Sequence, residues 1–186
     1  MKRIVVILMI LLSLCGCNQA EKGIDRALSL RSDLLNANGC SFDAEITADF
    51  GERTYTFMLS CQADQDGNIS FCVLAPEYIS GIKGKLSYEG GKLTFEKVAL
   101  AFDLQTDDIL SPVSGPWILL RALRGGYIQS YATEGNDLRL TVNDSYQDDA
   151  LMLDIWLNSE GVPFRADVFE ENRRVLSIGL DNFKML

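Results

Sequence analysis

Apolar and polar residues alternate cleanly from Cys40 to Phe50. Cys40, Phe42, Ala44, Ile46, Ala48 and Phe50 fall on one side of an extended chain; Ser41, Asp43, Glu45, Thr47 and Asp49 fall on the other. A period of two marks a strand buried on one face. Gly51-Glu52 turns the chain, and "RTYTFMLSC" returns with Tyr55, Phe57, Leu59 and Cys61 inward. A turn at Asp66-Gly67-Asn68 leads into "ISFCVLA", with Ile69, Phe71 and Val73 inward. "PEYISGIKG" is irregular, "GKLSYEGGKLTFE" reads as a hairpin turning at Gly90-Gly91, and "VALAFDL" sets Val98, Leu100, Phe102 and Leu104 on one face. Beyond residue 126 the strand pattern resumes in "YIQSYATE", "DLRLTV", "ALMLDIWLN", "PFRADVFE" and "RRVLSIGLDNF", with turns at Gly135-Asn136 and at residues 159–161. In the third of these, Leu151, Leu153, Ile155 and Leu157 point one way and Met152, Asp154, Trp156 and Asn158 the other.

Two segments carry a helical period. In residues 21–37, Ile24, Ala27, Leu28, Leu34 and Leu35 form a stripe at three-and-four spacing, and Asn38-Gly39 is a stop. "SPVSGPWILLRALRGG" has Ser114 or Gly115 as cap, Pro116 in its first turn and Gly125-Gly126 as its end. Only Arg121 and Arg124 break its apolar surface, so the helix must be enclosed. About nine or ten short strands with two helices describe an antiparallel meander, because two helices are too few for parallel crossovers. A sheet this wide must curl. The fold class is α+β: a strongly curved antiparallel sheet, an unclosed barrel, with the helices packed on its concave face.

The front of the chain changes the picture. Lys2 and Arg3 precede an apolar run from Ile4 to Leu14 that only Ser13 interrupts. It is short of the roughly 20 residues that a membrane span needs and has the flanks of a secretory signal. Leu14-Cys15-Gly16-Cys17 resembles a bacterial lipobox, which makes residues 1–16 a lipoprotein signal peptide and Cys17 the lipidated N-terminus. Residues 17–22 then read as a polar tether and 23–186 as one domain. The expected place is the extracytoplasmic face of the cell membrane, held by acyl chains on Cys17.

Charge and residue usage exclude several activities. Losing Lys2 and Arg3 with the signal takes the net charge from −9 to −11. So acidic a domain has no basic face for nucleic acid. There is no histidine, hence no imidazole triad or His metal site, and no GxSxG motif. No cofactor, metal or catalytic residue is assigned. Asn143, Asp144, Asp148 and Asp149, like Asp107-Asp108, read as solvated turns without the spacing of a calcium loop.

Other residues leave alternatives open. Phe42, Ile46, Phe50, Tyr55, Phe57 and Leu59, with Trp117 and Leu120 from the second helix, either line a hydrophobic-ligand cavity or fill a packed core. Cys40 and Cys61 are diagonal neighbours on one face, available for a disulfide after a register change or else buried as free thiols. Met152 and Trp156, on an otherwise polar face, mark a candidate partner surface with Arg173 and Arg174. Arg121 and Arg124, and Arg173 and Arg174, alternatively pair with local carboxylates.

In its order of elements the chain resembles the LolA/LolB-like lipoproteins. The resemblance rests on the leading helix, the hairpin "FDAEITADFGERTYTFML", the stretch from Pro76 to Gly84, the lid-like helix between Pro112 and Gly126, and the final pair "PFRADVFEENRRVLSIGL". It is similar in particular to the subgroup that includes spore-germination lipoproteins of Gram-positive bacteria. That resemblance implies a non-catalytic module that binds a protein partner in the envelope, such as a cell-wall or spore-cortex enzyme. Its carrier branch implies the alternative, a binder of acyl chains or another hydrophobic ligand in the concave face.

Overall fold

The computed structural model describes residues 17–88, 90–95, 98–102, 105–106, 109–147 and 150–186. Residues 1–16, expected to be a signal peptide, and Leu104, Asp107, Asp108, Asp148 and Asp149 lie outside the described residues. Helix α1 (Cys17–Asn36) precedes β1 (Gly39–Asp49), β2 (Thr54–Asp64), β3 (Ile69–Ala75), β4 (Lys83–Ser87), β5 (Gly90–Phe95) and β6 (Val98–Phe102). A two-stranded ribbon, β7 (Gln105–Thr106) and β8 (Ile109–Leu110), leads to α2 (Gly115–Gly125). The chain ends in β9 (Tyr127–Glu134), β10 (Asp137–Asn143), β11 (Met152–Leu157), β12 (Pro163–Glu170) and β13 (Arg173–Met185). Among the described residues no helix is long and apolar enough to cross a membrane.

Eleven strands form one antiparallel sheet in the order β6-β5-β4-β3-β2-β1-β13-β12-β11-β10-β9. This is the predicted curved, unclosed sheet: two meanders joined at the centre, where the first strand pairs with the last. Thr47 opposite Ser177 and Glu45 opposite Gly179 fix that register. The predicted hairpin turn at Gly90-Gly91 falls earlier, since Ser87 pairs with Gly90. Helix α1 begins at Cys17, so the stretch read as a tether is helical.

The core is one continuous cluster between the inner face of the sheet and the two helices. From α1 it takes Ala27, Leu30 and Leu34, whereas Leu28 and Leu35, expected inside, stand out in solvent. Leucines at two adjacent helical angles make two possible stripes, and the sheet selects the one carrying Leu30. Helix α2 is enclosed as its composition requires: Trp117 to Leu120, Ala122 and Leu123 are all buried. Gly115 lets its start lie close to β13, since a Cβ there would come 3.1 Å from Ile178 Cδ1.

Cys40 pairs with Ala63 and Cys61 with Phe42, so the thiols are diagonal neighbours in the regular ladder and not partners. Both are free and buried here, the second of the two alternatives, and a disulfide would need the regular register to change. Burial pushes the Cys40 thiol up to about 11, so it is protonated and unreactive at neutral pH.

Candidate functional site

The eight residues proposed to line the concave face divide. Phe42, Ile46, Leu59, Trp117 and Leu120 are between 0 and 4% exposed. Surfaces so nearly inaccessible leave no water-sized space beside them, and therefore no room for an acyl chain. They fill the core. The other three sit at the turn end of the first hairpin. Phe57 is half-buried there. Phe50 and Tyr55, each 38% exposed, pack edge to face at 5.8 Å.

Helix α2 is held over this core by side chains that the sequence did not single out or could not place. Arg31 of α1 caps its C-terminus: Nε donates to Leu123 O at 2.8 Å, and Nη2 to Ala122 O at 3.3 Å and Gly126 O at 2.8 Å. The last-turn carbonyls of a helix lack internal partners and carry its negative end, so a forked cation suits them. Arg124 returns the arrangement. Its Nη1 donates to Leu34 O in the last turn of α1 at 3.0 Å, and its Nη2 to Gln65 O at 2.6 Å. Each helix thus supplies the cation that caps the other. The only sequence signal for Arg31 was its place beside the buried stripe Ala27, Leu30 and Leu34.

Arg121 makes the third tie. Its guanidinium lies 4.8 Å from the centre of the Trp117 ring and forms an ion pair with Asp144, whose side chain is almost wholly buried. Asp144 Oδ1 also accepts from Leu151 N at 2.9 Å, which closes the β10–β11 loop onto α2. Asp144, weighed as a turn carboxylate, is a structural anchor, and Arg121 pairs locally as one alternative held. Tyr88 meets the Trp117 ring edge-on at 5.3 Å.

Beside α2 lies an open cleft of about 1400 Å³. Its walls come from the end of α1 (Leu35), the β2–β3 turn (Asp66), Tyr88, the β10–β11 loop and the β12–β13 turn. Charged and amide side chains alternate there with apolar ones.

The proposed partner surface also divides. Met152 lines the cleft. Trp156 is on the outer face, where Nε1 donates to Glu134 Oε2 at 3.0 Å and the Arg165 guanidinium stacks 4.6 Å from the ring centre. Arg165 binds Asp167 at 2.7 Å, Asp167 accepts from Ser177 Oγ at 2.6 Å, and Arg174 approaches Asp167 at 3.6 Å. Trp156 and Arg174 therefore belong to a polar ladder across strands β9 to β13. Arg173 remains exposed.

Ser80 and Lys83 have the spacing of a serine–lysine motif, but they lie on an exposed turn and at the start of β4 and share no helical face. Among the described residues no group of three or more His, Cys, Asp or Glu side chains stands ready for a metal ion.

The fold and site define a scaffold with a clamped helix, a filled interior and one large open cleft. The architecture is the one that the LolA/LolB-like resemblance implies. The sequence matches no family model and no curated protein. The chain is similar to the crystal structure of a LolA superfamily protein from Nitrosomonas europaea, at 9% identity and TM-score 0.46, covering 86% of this chain and 93% of that one. It is similar to lipoprotein LppX of Mycobacterium tuberculosis at 8% identity and TM-score 0.44, covering 90% and 96%. It is also similar to a chain in the complex of the CwlD amidase with the GerS lipoprotein from Clostridioides difficile, at 10% identity and TM-score 0.43, covering 85% and 92%. Likeness at such identity concerns the fold and transfers no activity from one protein to another.

Proposed function

We propose that this protein is an exported lipoprotein, held at the extracytoplasmic membrane face through acyl chains on Cys17, that acts by binding a protein partner and not by catalysis. A cell-wall or spore-cortex enzyme is the class of partner that the sequence resemblance suggests. The observation that carries the reading is the contrast between the sealed interior and the open cleft. A carrier of acyl chains needs an apolar cavity of about 300–1000 Å³. Here five of the eight residues that would line it, Phe42, Ile46, Leu59, Trp117 and Leu120, are packed away, while the accessible concavity has charged walls. With its anchor at Cys17, the chain would present the cleft to other envelope proteins.

Photo-crosslinking in membranes of the native host tests this. A photoreactive residue at Gln147, on the cleft, is expected to give one discrete protein adduct. The same group at Thr56, on the outer face of β2, is expected to give none. Equal labelling from both positions, or adducts with lipid alone from Gln147, would overturn the proposal.

A further inference from the structure

The cleft's chemistry narrows the partner, on the understanding that the cleft is a protein-docking face. Small-molecule sites enclose about 300–1000 Å³ and bury most of their ligand. At about 1400 Å³, and open to solvent, this cleft exceeds that range and fits a segment of another chain better.

Its charge is unbalanced. The lining carries the carboxylates of Asp66, Asp144, Glu170 and Glu171 against the guanidinium groups of Arg121 and Arg124. Both arginines are engaged, Arg121 by Asp144 and Arg124 by the carbonyls of Leu34 and Gln65. The acids at the mouth come from separate turns. Asp66 is on the β2–β3 turn, and Glu171 is at the tip of β12–β13 with φ of 48°. Apolar groups lie among them. Leu35 is 53% and Tyr88 73% exposed, with Met152 and Phe169 half-buried nearby. The chain as a whole carries −9, so a cationic segment is drawn in and an anionic one repelled.

We infer that the cleft receives a segment of the partner in which lysine or arginine side chains alternate with apolar ones, the cations meeting Asp66 and Glu171 and the apolar groups covering Leu35 and Tyr88. This deepens the protein-binding proposal and rests on it. The test is calorimetric titration of the full chain in detergent with a short lysine–leucine peptide and with its glutamate–leucine counterpart. The first is expected to bind at low salt and the second not. The double variant Asp66→Asn/Glu171→Gln is expected to weaken binding about tenfold, whereas Glu52→Gln/Glu160→Gln, an equal change in net charge away from the cleft, changes it less than twofold. Equal losses in the two double variants, equal binding of the two peptides, or no binding would overturn the inference. A discrete crosslink from Gln147 would survive any of those results, so failure of this chemistry is distinct from failure of the docking proposal.

Discussion

Arg31→Ala is expected to cost about 2–3 kcal/mol of stability, because charge-assisted hydrogen bonds to half-buried carbonyls each contribute roughly 1.5–3 kcal/mol and share one side chain here. In a chain of this size that is a fall of about 5–10 °C in melting temperature. The guanidinium satisfies Leu123, Ala122 and Gly126 together. Arg31→Lys recovers only part of the loss, since an ammonium lacks the fork that spans adjacent carbonyls. Arg124→Ala costs less, because its bond to Gln65 O is exposed to water that can replace it. Thermal melts rank the three variants, and hydrogen exchange in residues 115–125 shows whether the loss is local to the clamped helix. Equal, small effects for all three would mean that packing alone holds α2.

Gly126→Ala is the second large effect, about 3 kcal/mol, at the upper end of the cost of overfilling a packed site. The backbone conformation is not the reason, since φ is −65°. A Cβ at this position would lie 2.6 Å from Asn143 O, 2.6 Å from Val142 Cγ1 and 2.7 Å from Ala122 O. Two of these atoms are backbone, so the end of α2 and β10 must separate. Gly125→Ala, one residue earlier, meets nothing within 4 Å and is expected to change stability by less than about 0.5 kcal/mol. Denaturant melts of this adjacent pair separate a steric wedge from a general intolerance of the helix end. A neutral Gly126→Ala would show that the helix is free to shift away from β10.

Much of the fold was legible because strand patterning is local. The alternation in residues 40–50, the turns at Gly67 and Gly135 and the all-apolar helix at 115–125 each appear where their residues put them. Three features were not legible, and each depends on a neighbour distant in sequence. The stripe of α1 was read through Leu28, Leu34 and Leu35, whereas the sheet beneath buries Leu30 with Ala27 and Leu34 and leaves Leu28 and Leu35 outside. Arg31 drew no notice in the sequence because its partners lie more than ninety residues away. Trp156 looked like an open aromatic, but Arg165 on the adjacent strand β12 occupies its face, and Glu134 on β9, two strands away across β10, takes its N–H. Periodicity reports which residues are inward and is silent on whether they meet. For that reason the same inward set was compatible with a ligand cavity and with a filled core.

The central claim is that the concave face is filled, so that binding takes place outside it. The most direct measurement is native mass spectrometry of the chain expressed in a lipid-rich host, followed by denaturation and analysis of what is released. The account predicts the mass of the chain with its covalent acyl groups alone and no further lipid on unfolding. Stoichiometric release of a noncovalently held acyl species would contradict it and would place the ligand among Phe42, Ile46, Leu59, Trp117 and Leu120.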